Sequence, residues 1–210
     1  MRKRTLHEAK IWLRSCGSSS LVIDTLGDRA REQNAAIACF YFDFATQKEQ
    51  SPAIILGSLL KQFVGGLKKI PEKVLQAFRG EEQVIGGRKL ELREILHMLK
   101  DISSSQPTFI CIDALDECMA EYRGKVLDSL KQILHNSENT RVFLTGRLHI
   151  QDEVENHLSG KVVAVSITPT KDDVIRFLQA KLKEDITPDA MDKSLEQDII
   201  RTIPGTCSDM

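Results

Sequence analysis

Short apolar runs alternate along the chain with longer stretches in which apolar residues recur at every third or fourth position. The runs are rich in β-branched and aromatic side chains, and they occupy residues 36–44, 109–112, 141–145 and 161–167. Runs of this length are typical of buried strands. Strands that alternate with helices predict an α/β fold with a mostly parallel sheet, because parallel neighbours need crossover helices.

Helical spacing of the apolar residues defines the elements between these strands. The helices predicted in this way cover residues 7–13, 21–32, 53–64, 70–78, 89–102, 122–135, 150–158, 170–183 and 189–203. Most of them present one apolar face, as expected of helices that pack on a sheet. Ser51 followed by Pro52 suits a helix start, with the serine as cap and the proline in the first turn.

The apolar run at residues 109–112 ends in three acids, Asp113, Asp116 and Glu117. The carboxyl ends of parallel strands form the crevice in which open α/β sheets bind ligands. In P-loop NTPases this position is held by the Walker B acid, which helps to hold Mg²⁺ against the nucleotide phosphates. The alternative interpretation is a core strand that runs into a solvated acidic turn.

A basic side chain follows the next predicted strand. The run RVFLT at residues 141–145 is closed by Gly146 and Arg147. An arginine at the end of a buried strand, beside the acidic strand, could reach a nucleotide phosphate with its guanidinium group. The alternative is a surface arginine at a strand end.

The composition argues against several classes of protein. A length of 210 residues suits one domain with a sizeable core. Lys plus Arg number 29 against 30 for Asp plus Glu. This balance of charge does not favour binding to nucleic acid or to an anionic membrane. No apolar run approaches the roughly 18 residues that span a bilayer, and none follows the basic start as in a signal peptide. The five cysteines are scattered without zinc-binding CxxC spacing, so a reducing, cytoplasmic location is expected.

The segments IACFYFDF, FICIDALDEC and RVFLTGR, followed by a strand and the helix DDVIRFLQ, together resemble the NACHT-type NTPase domain of fungal NLR-like proteins. The most similar version is the nephrocystin-type N-terminal domain, which is found beside ankyrin, WD or TPR repeats. The resemblance covers roughly residues 12–206. It implies an AAA+-like fold and a STAND-class switch from closed monomer to open oligomer on nucleotide exchange. The implied cofactors are ATP or GTP with Mg²⁺, and the implied partners are other proteins or further copies of the chain.

The resemblance also implies roles for individual residues. Asp113 matches the Walker B acid that binds Mg²⁺, directly or through water. Asp116 and Glu117 match the acidic pair that acts as base or positions water for attack on the γ-phosphate. Arg147 matches the sensor arginine that reports the γ-phosphate. Asp43 falls in the second-strand motif, where the resemblance assigns it no role.

The chain departs from this family near its amino end. Family members carry a glycine-rich GxxGxGK[ST] loop before the helix that corresponds to residues 21–32, whereas this chain has RSCGSSS at residues 14–20. Aligned without gaps, Ser15 falls where the lysine should be and Cys16 where the Mg²⁺-binding hydroxyl should be. The first strand and the phosphate loop are therefore expected to be missing or replaced, and nucleotide binding is expected to be weak.

These observations predict a degenerate segment over residues 1–20 and a NACHT-like NTPase domain, truncated at both ends, over residues 21–206. The first functional hypothesis is a nucleotide-switched signalling NTPase with impaired hydrolysis. The second is a non-catalytic pseudo-NTPase fragment that acts only through protein contacts. The third is a nucleic-acid-binding AAA+-like module, and the near-zero net charge and the lack of a basic aromatic patch argue against it.

Overall fold

The structure is a computed structural model that describes residues 9–13, 18–67, 70, 72, 74–76, 90–158, 162–166, 170–183 and 192–206. It divides into two compact units, Met1–Ser166 and Ile167–Met210. Of the predicted helix at residues 70–78, the described residues 72 and 74–76 are helical, whereas the segments 1–8 and 14–17 lie outside the described residues.

Five parallel strands form the sheet of the first unit. They are β1 (Ala9–Leu13), β2 (Ala36–Tyr41), β3 (Thr108–Asp113), β4 (Thr140–Gly146) and β5 (Val162–Ser166), in the spatial order β2-β3-β4-β1-β5. Every neighbouring pair is parallel. All the strands expected from the apolar runs are present, and the predicted α/β fold with a parallel sheet is confirmed.

The amino-terminal segment differs from the expectation. The sequence pattern predicts a helix over residues 7–13 and no first strand, and both expectations are wrong because residues 9–13 form β1. The backbone of β1 pairs with β4 on one side and with β5 on the other, with Leu13 opposite Gly146 and Ser166. A short apolar run fits a helix or a strand equally well by periodicity. Residues 9–13 form a strand because their backbone supplies hydrogen-bond partners for the N–H and C=O groups of β4 and β5.

The helices of the first unit are also close to those predicted. They are α1 (Ser18–Glu32), α2 (Pro52–Gly66), α3 (Leu92–Ser105), α4 (Ala120–Asn136) and α5 (Gln151–Leu158), with single-turn 3₁₀ helices at Phe44–Thr46, Leu115–Glu117 and Leu148–Ile150. α2 starts as predicted, with Ser51 as its cap and Pro52 in its first turn. α3 begins later than predicted, because Glu91 and Glu94 form a capping box there.

The larger part of the core lies between the sheet and helices α2 to α5. Alternate strand residues point to this face, and the buried ones include Ala38, Ile110, Ile112, Val142 and Leu144. They share one apolar cluster with side chains from the four helices, such as Ile55, Leu99, Leu127 and Val154. α1 lies against β2 and β3 on the opposite face, to which the intervening strand residues point.

The second unit contains α6 (Lys171–Lys183) and α7 (Lys193–Thr206), which contact each other. α6 is capped at Thr170, where its predicted range begins. The Thr170 hydroxyl accepts a 3.2 Å hydrogen bond from the N–H of Asp173, and the Asp173 carboxylate accepts a 3.0 Å bond from the N–H of Thr170. α7 continues through Pro204, beyond its predicted end. In neither unit does the described part of the chain contain a helix that is long and apolar enough to cross a membrane.

Candidate functional site

β1 and β4 are neighbours in the sheet, and the helices that follow them in the chain lie on opposite faces. β1 continues into α1 on one face, and β4 continues into α5 on the other. Beside such a pair of strands, the carboxyl edge of an open α/β sheet forms a ligand-binding crevice. The strand ends are in register there, with Leu13 opposite Gly146 and Tyr41 opposite Asp113. The acidic strand therefore ends at the same edge as β1.

Asp113 is the last residue of β3, and the neighbouring strand holds its carboxylate. The Thr145 hydroxyl donates a hydrogen bond to Oδ1 of Asp113. The same hydroxyl oxygen accepts a 2.9 Å hydrogen bond from the backbone N–H of Ala114. Because Thr145 is buried, its single proton is committed to Asp113. Within the described ranges, Oδ2 of Asp113 accepts no hydrogen bond, so this oxygen can accept a cation.

Ala114 turns the chain sharply after this carboxylate. Its φ of 55° and ψ of 45° are left-handed, a conformation that costs an alanine roughly 1–2 kcal/mol. The hydrogen bond from its N–H to Thr145 and the complete burial of Leu115 hold this strained turn in place. The turn leads into the 3₁₀ helix that carries the second and third acids. Strain of this kind often marks a functional site.

Asp116 contacts Arg147 at two points. Its Oδ1 accepts a hydrogen bond from the backbone N–H of Arg147 at 3.1 Å, and its Oδ2 lies 3.3 Å from Nε of the same residue. The Asp116 side chain is 7% exposed, whereas the Arg147 side chain is 71% exposed. The carboxylate is therefore an internal anchor, and most of the guanidinium group remains accessible to an anionic ligand.

Glu117 connects the acidic turn to the end of β2. Its Oε2 accepts a 3.1 Å hydrogen bond from the backbone N–H of Phe44. Phe44 opens a 3₁₀ helix that is capped by Asp43, whose Oδ1 accepts a 3.0 Å hydrogen bond from the N–H of Ala45. Asp43 thus has a structural role at this edge, which its sequence position alone does not indicate.

The electrostatic environment at the end of β2 is negative. Burial, and after it the charges of the nearby Cys39 and Asp113, raise the pKa of Tyr41, and Asp24 of α1 adds to the effect. A triphosphate at this edge therefore needs a positive counter-charge from the protein or from a metal ion.

The predicted site residues lie at one edge of the sheet, but they do not form one metal cluster. Among the residues that the structure describes, no three acidic, histidine or cysteine side chains are placed to hold a metal ion together. Mg²⁺ in a nucleotide site needs only one or two carboxylates, because phosphate oxygens and water complete its coordination. Oδ2 of Asp113 fits this requirement. Asp116 and Glu117 each have an oxygen that accepts a hydrogen bond from a protein N–H.

The phosphate side of such a site corresponds to the connection between β1 and α1. The strand and the helix are both present, and the helix begins at Ser18. A helix start supplies free N–H groups that can bind an anion. The four connecting residues, RSCG at positions 14–17, lie outside the described residues, and their sequence contains no lysine.

Sequence reasoning missed Thr145 and the role of Gly146. A hydroxyl at the end of an otherwise apolar buried strand was the available signal, since buried polar groups are nearly always hydrogen-bonded. A Cβ atom on Gly146 would lie 2.7 Å from Cδ1 of Ile150 and 3.4 Å from Oδ1 of Asp116. The glycine therefore leaves room for the buried Ile150 and for the carboxylate that holds Arg147.

A protein-family model described as Nephrocystin 3, N-terminal, matches residues 14–147, well over half of the 210 residues. The match runs from the end of β1 through the acidic strand to the arginine that Asp116 holds. No curated protein matches the sequence.

Several solved structures share the fold. The ORC1 protein of Aeropyrum pernix, solved in complex with DNA, gives a TM-score of 0.54 at 15% identity over 96% of this chain and 49% of its own. The Walker-type ATPase PABY2304 of Pyrococcus abyssi gives 0.50 at 18% identity over 97% of this chain and 61% of its own. Drosophila ORC bound to DNA gives 0.53 at 14% identity over 96% and 49%. The chain spans about half the length of the first of these, and at such identities the likeness shows a P-loop NTPase fold alone.

Proposed function

The chain belongs to the nephrocystin 3 N-terminal family, and from this premise we propose that it is a NACHT-like signalling domain, switched by ATP or GTP, in which hydrolysis is impaired. The switch would follow the STAND pattern, in which nucleotide exchange opens a closed monomer for assembly. In this proposal Asp113 holds Mg²⁺ and Arg147 contacts the γ-phosphate. Glu117 and Asp116 form the acidic pair next to them.

One observation carries the nucleotide-binding part of the proposal. Asp113 stands at the carboxyl end of β3, at the edge where β1 ends. One of its oxygens is held by Thr145, and the other accepts no hydrogen bond from the part of the chain that the structure describes. This is the arrangement in which an acid can hold Mg²⁺ while the start of α1 binds phosphate. Bound Mg²⁺ would offset the negative charge of the acids and of the phosphates.

The missing lysine supports the proposed loss of hydrolysis. In P-loop sites the lysine makes charge-assisted hydrogen bonds to the β- and γ-phosphates, each worth roughly 1.5–3 kcal/mol. Since about 1.4 kcal/mol corresponds to a tenfold change in affinity, losing two such bonds weakens binding by about two to four orders of magnitude. The same charge would stabilise the transition state, so turnover falls together with affinity.

The contacts of the acidic pair suggest how its roles divide. Both oxygens of Asp116 face Arg147, so we assign Asp116 to positioning the sensor arginine rather than to activating water. Glu117 has one oxygen on the Phe44 N–H, and its other oxygen is the better candidate for orienting water. A base must lie within hydrogen-bond reach of the attacking water, directly or through one more water.

Nucleotide titration of the purified chain tests the proposal. Fluorescent ATP and GTP analogues should bind weakly, more tightly with Mg²⁺ than without it, and with little or no turnover. Asp113→Ala should abolish the effect of Mg²⁺, whereas Asp101→Ala, which removes an exposed carboxylate from α3, should not. Robust hydrolysis that depends on Asp113 would contradict the impairment, and an absence of binding with and without Mg²⁺ would contradict the nucleotide switch.

A gain-of-function variant tests whether the absence of the loop lysine weakens nucleotide binding. Ser15→Lys combined with Cys16→Thr restores the lysine and the hydroxyl of the family loop. The restored lysine should tighten nucleotide binding by about tenfold to a hundredfold for each charge-assisted bond that it makes. Ser15→Gln with Cys16→Thr supplies a polar side chain one atom shorter than lysine and without the charge, and should have a smaller effect. Equal affinity in both variants would show that the lysine is not the missing element.

The second candidate function is a pseudo-NTPase that acts only through protein contacts. Tyr41 and Phe44 favour it, because both are exposed aromatic residues at the same edge of the sheet, and Phe44 is 68% exposed. Aromatic residues are enriched in protein interfaces. If this candidate is right, association with a partner or a second copy should be unaffected by nucleotide and weakened by Phe44→Ser. Light scattering with and without nucleotide distinguishes the two candidates.

The proposed partners are proteins or further copies of the chain, acting in the cytoplasm, and not nucleic acid or a membrane. The net charge of −1 supports this choice, because duplex binding relies on Lys and Arg contacts to phosphates. Two of the structurally similar proteins were solved with DNA, and at 14–15% identity they do not extend that property to this chain. A gel-shift assay at low salt checks it: retention of duplex DNA at micromolar protein would contradict this part of the proposal.

A further inference from the structure

Two cysteines face each other across β2 and β3. Cys39 and Cys111 are direct partners in the register of these parallel strands. Residues opposite each other in a parallel pair point to the same face of the sheet, here the face covered by α1. Neither thiol is part of a disulfide.

The spacing of the strands allows a bond between the two sulfur atoms. Neighbouring strands lie about 4.7–4.9 Å apart, and the Cα atoms of disulfide-bonded residues are usually about 4.4–6.8 Å apart, most often about 5.5–6 Å. The pair is thus within the range but at its short end. A disulfide at this spacing is geometrically possible, and disulfides near the limits of the usual geometry are the ones that are readily reduced again.

The surroundings of Cys39 hold it in this register and leave it accessible. β2 is an edge strand, and the Gln62 side chain of α2 covers the edge at Cys39. The Gln62 amide accepts from the Cys39 N–H at 2.9 Å and donates to its carbonyl at 2.7 Å. Cys39 is partly exposed, whereas Cys111 is completely buried. A small oxidant therefore reaches Cys39 first and finds Cys111 next to it.

We propose that Cys39 and Cys111 form a peroxide-sensitive modification site, in which Cys39 is oxidised first and Cys111 then closes a reversible cross-strand disulfide. Hydrogen peroxide is the oxidant. The Cys39 thiolate attacks one peroxide oxygen, the O–O bond breaks, and the products are a sulfenic acid and hydroxide. The Cys111 sulfur then attacks the Cys39 sulfur, the S–O bond breaks, and water leaves with the proton of the Cys111 thiol. Reduction by an exogenous dithiol regenerates both thiols.

The opposite directions of the two pKa shifts, lowered for Cys39 and raised for Cys111, favour this order of events. The neighbouring Cys111 thiol lowers the pKa of Cys39, and the thiolate is the reactive form. The disulfide would join β2 to β3 two residues before Tyr41 and Asp113. The chemistry involves no nucleotide, so its test is independent of the proposed function.

Peptide mapping without reduction tests this modification site. The reduced full-length chain is treated with hydrogen peroxide, its remaining thiols are alkylated, and it is cleaved with trypsin and a Glu-specific protease. Cleavage after Glu117 separates Cys111 from Cys118. The expected product is a peptide with Cys39 linked to a peptide with Cys111, two hydrogens lighter than their sum, and dithiothreitol should remove the link.

Matched variants make the outcome decisive. Cys118→Ser should leave the link unchanged. Cys111→Ser, and Cys111→Ala as a second variant in case the serine perturbs the core, should abolish the link and raise dimedone trapping of sulfenic acid at Cys39 several-fold. Circular dichroism establishes that each variant is folded. A folded wild type in which Cys39 is not linked to Cys111, or in which Cys39 is trapped equally with and without Cys111, would overturn the proposal.

Discussion

The Asp116 carboxylate holds Arg147 by both its backbone and its side chain, through the N–H at 3.1 Å and Nε at 3.3 Å. The acid comes from the turn after β3 and the arginine from the turn after β4, so this contact fixes the two turns relative to each other. Because the Asp116 side chain is almost completely buried, we expect the contact to stabilise the folded protein. The exposed end of the guanidinium group is the part that can meet a ligand.

Removing this anchor should destabilise the protein. Asp116→Ala leaves the Arg147 N–H without its acceptor, and we expect the free energy of unfolding to fall by about 1–3 kcal/mol. Asp116→Asn keeps an oxygen for that N–H but turns its NH₂ group towards Nε, so the ion pair is lost. Because the Arg147 side chain is 71% exposed and can turn to water, this loss should cost less than the loss of the backbone hydrogen bond. Urea unfolding measures both. An equal loss in the two variants would mean that the charge, and not the hydrogen bond, holds the turn.

Thr145 should be necessary for the strained turn at Ala114. Thr145→Val keeps the shape of the side chain but leaves the Ala114 N–H and one oxygen of Asp113 without their partner. We expect a loss of about 1–3 kcal/mol in the free energy of unfolding and faster hydrogen exchange at the Ala114 amide. Thr145→Ser keeps the hydroxyl and should retain the slow exchange. Unchanged exchange in the valine variant would show that the left-handed turn does not depend on this hydroxyl.

Gly146 should not tolerate a methyl group. The added Cβ would lie 2.7 Å from Cδ1 of the buried Ile150, so Gly146→Ala should cost about 1–3 kcal/mol by overpacking. Ile150→Val removes that Cδ1 atom. The double variant should therefore lose less stability than the sum of the two single variants, as contacting residues do. Strict additivity in urea unfolding would place the strain elsewhere, for example on the Asp116 carboxylate.

Strands β3 and β4 were predictable because their sequences carry a local signal. β3 and β4 are almost continuously apolar and end in polar residues, Asp113 and Arg147, within a residue or two of the predicted ends. β1 has an equally apolar sequence but only five residues, and its identity depends on pairing with β4 and β5, which lie more than a hundred residues away in the chain. Local periodicity does not contain that information.

The candidate site was predictable in its residues and not in its contacts. The acids and the arginine were identified from their positions at strand ends. The pairing of Asp116 with Arg147 joins residues 31 positions apart, and it follows from the neighbouring positions of β3 and β4 in the sheet. The left-handed Ala114 carries no sequence signal either, since alanine normally avoids that conformation.

Cys118 provides a stability change with pH that can be assigned to one side chain. Burial, partly opposed by Arg123 and reinforced by Glu153, raises the pKa of the Cys118 thiol from its usual 9 to about 11. Below pH 9 the thiol is protonated in the folded and unfolded chains alike. Between pH 9 and pH 11 only the unfolded chain releases the proton, so the free energy of unfolding should fall with rising pH in this window.

The comparison with Cys118→Ala isolates this contribution from the other groups that titrate at alkaline pH. In urea unfolding, the stability advantage of the wild type over the variant should shrink steadily as the pH rises from 9 to 11. The thiol should also be alkylated by iodoacetamide much more slowly in the folded protein than in urea at the lower end of that range, because so little thiolate is present. A constant stability difference across the window would mean that burial does not hold the thiol protonated.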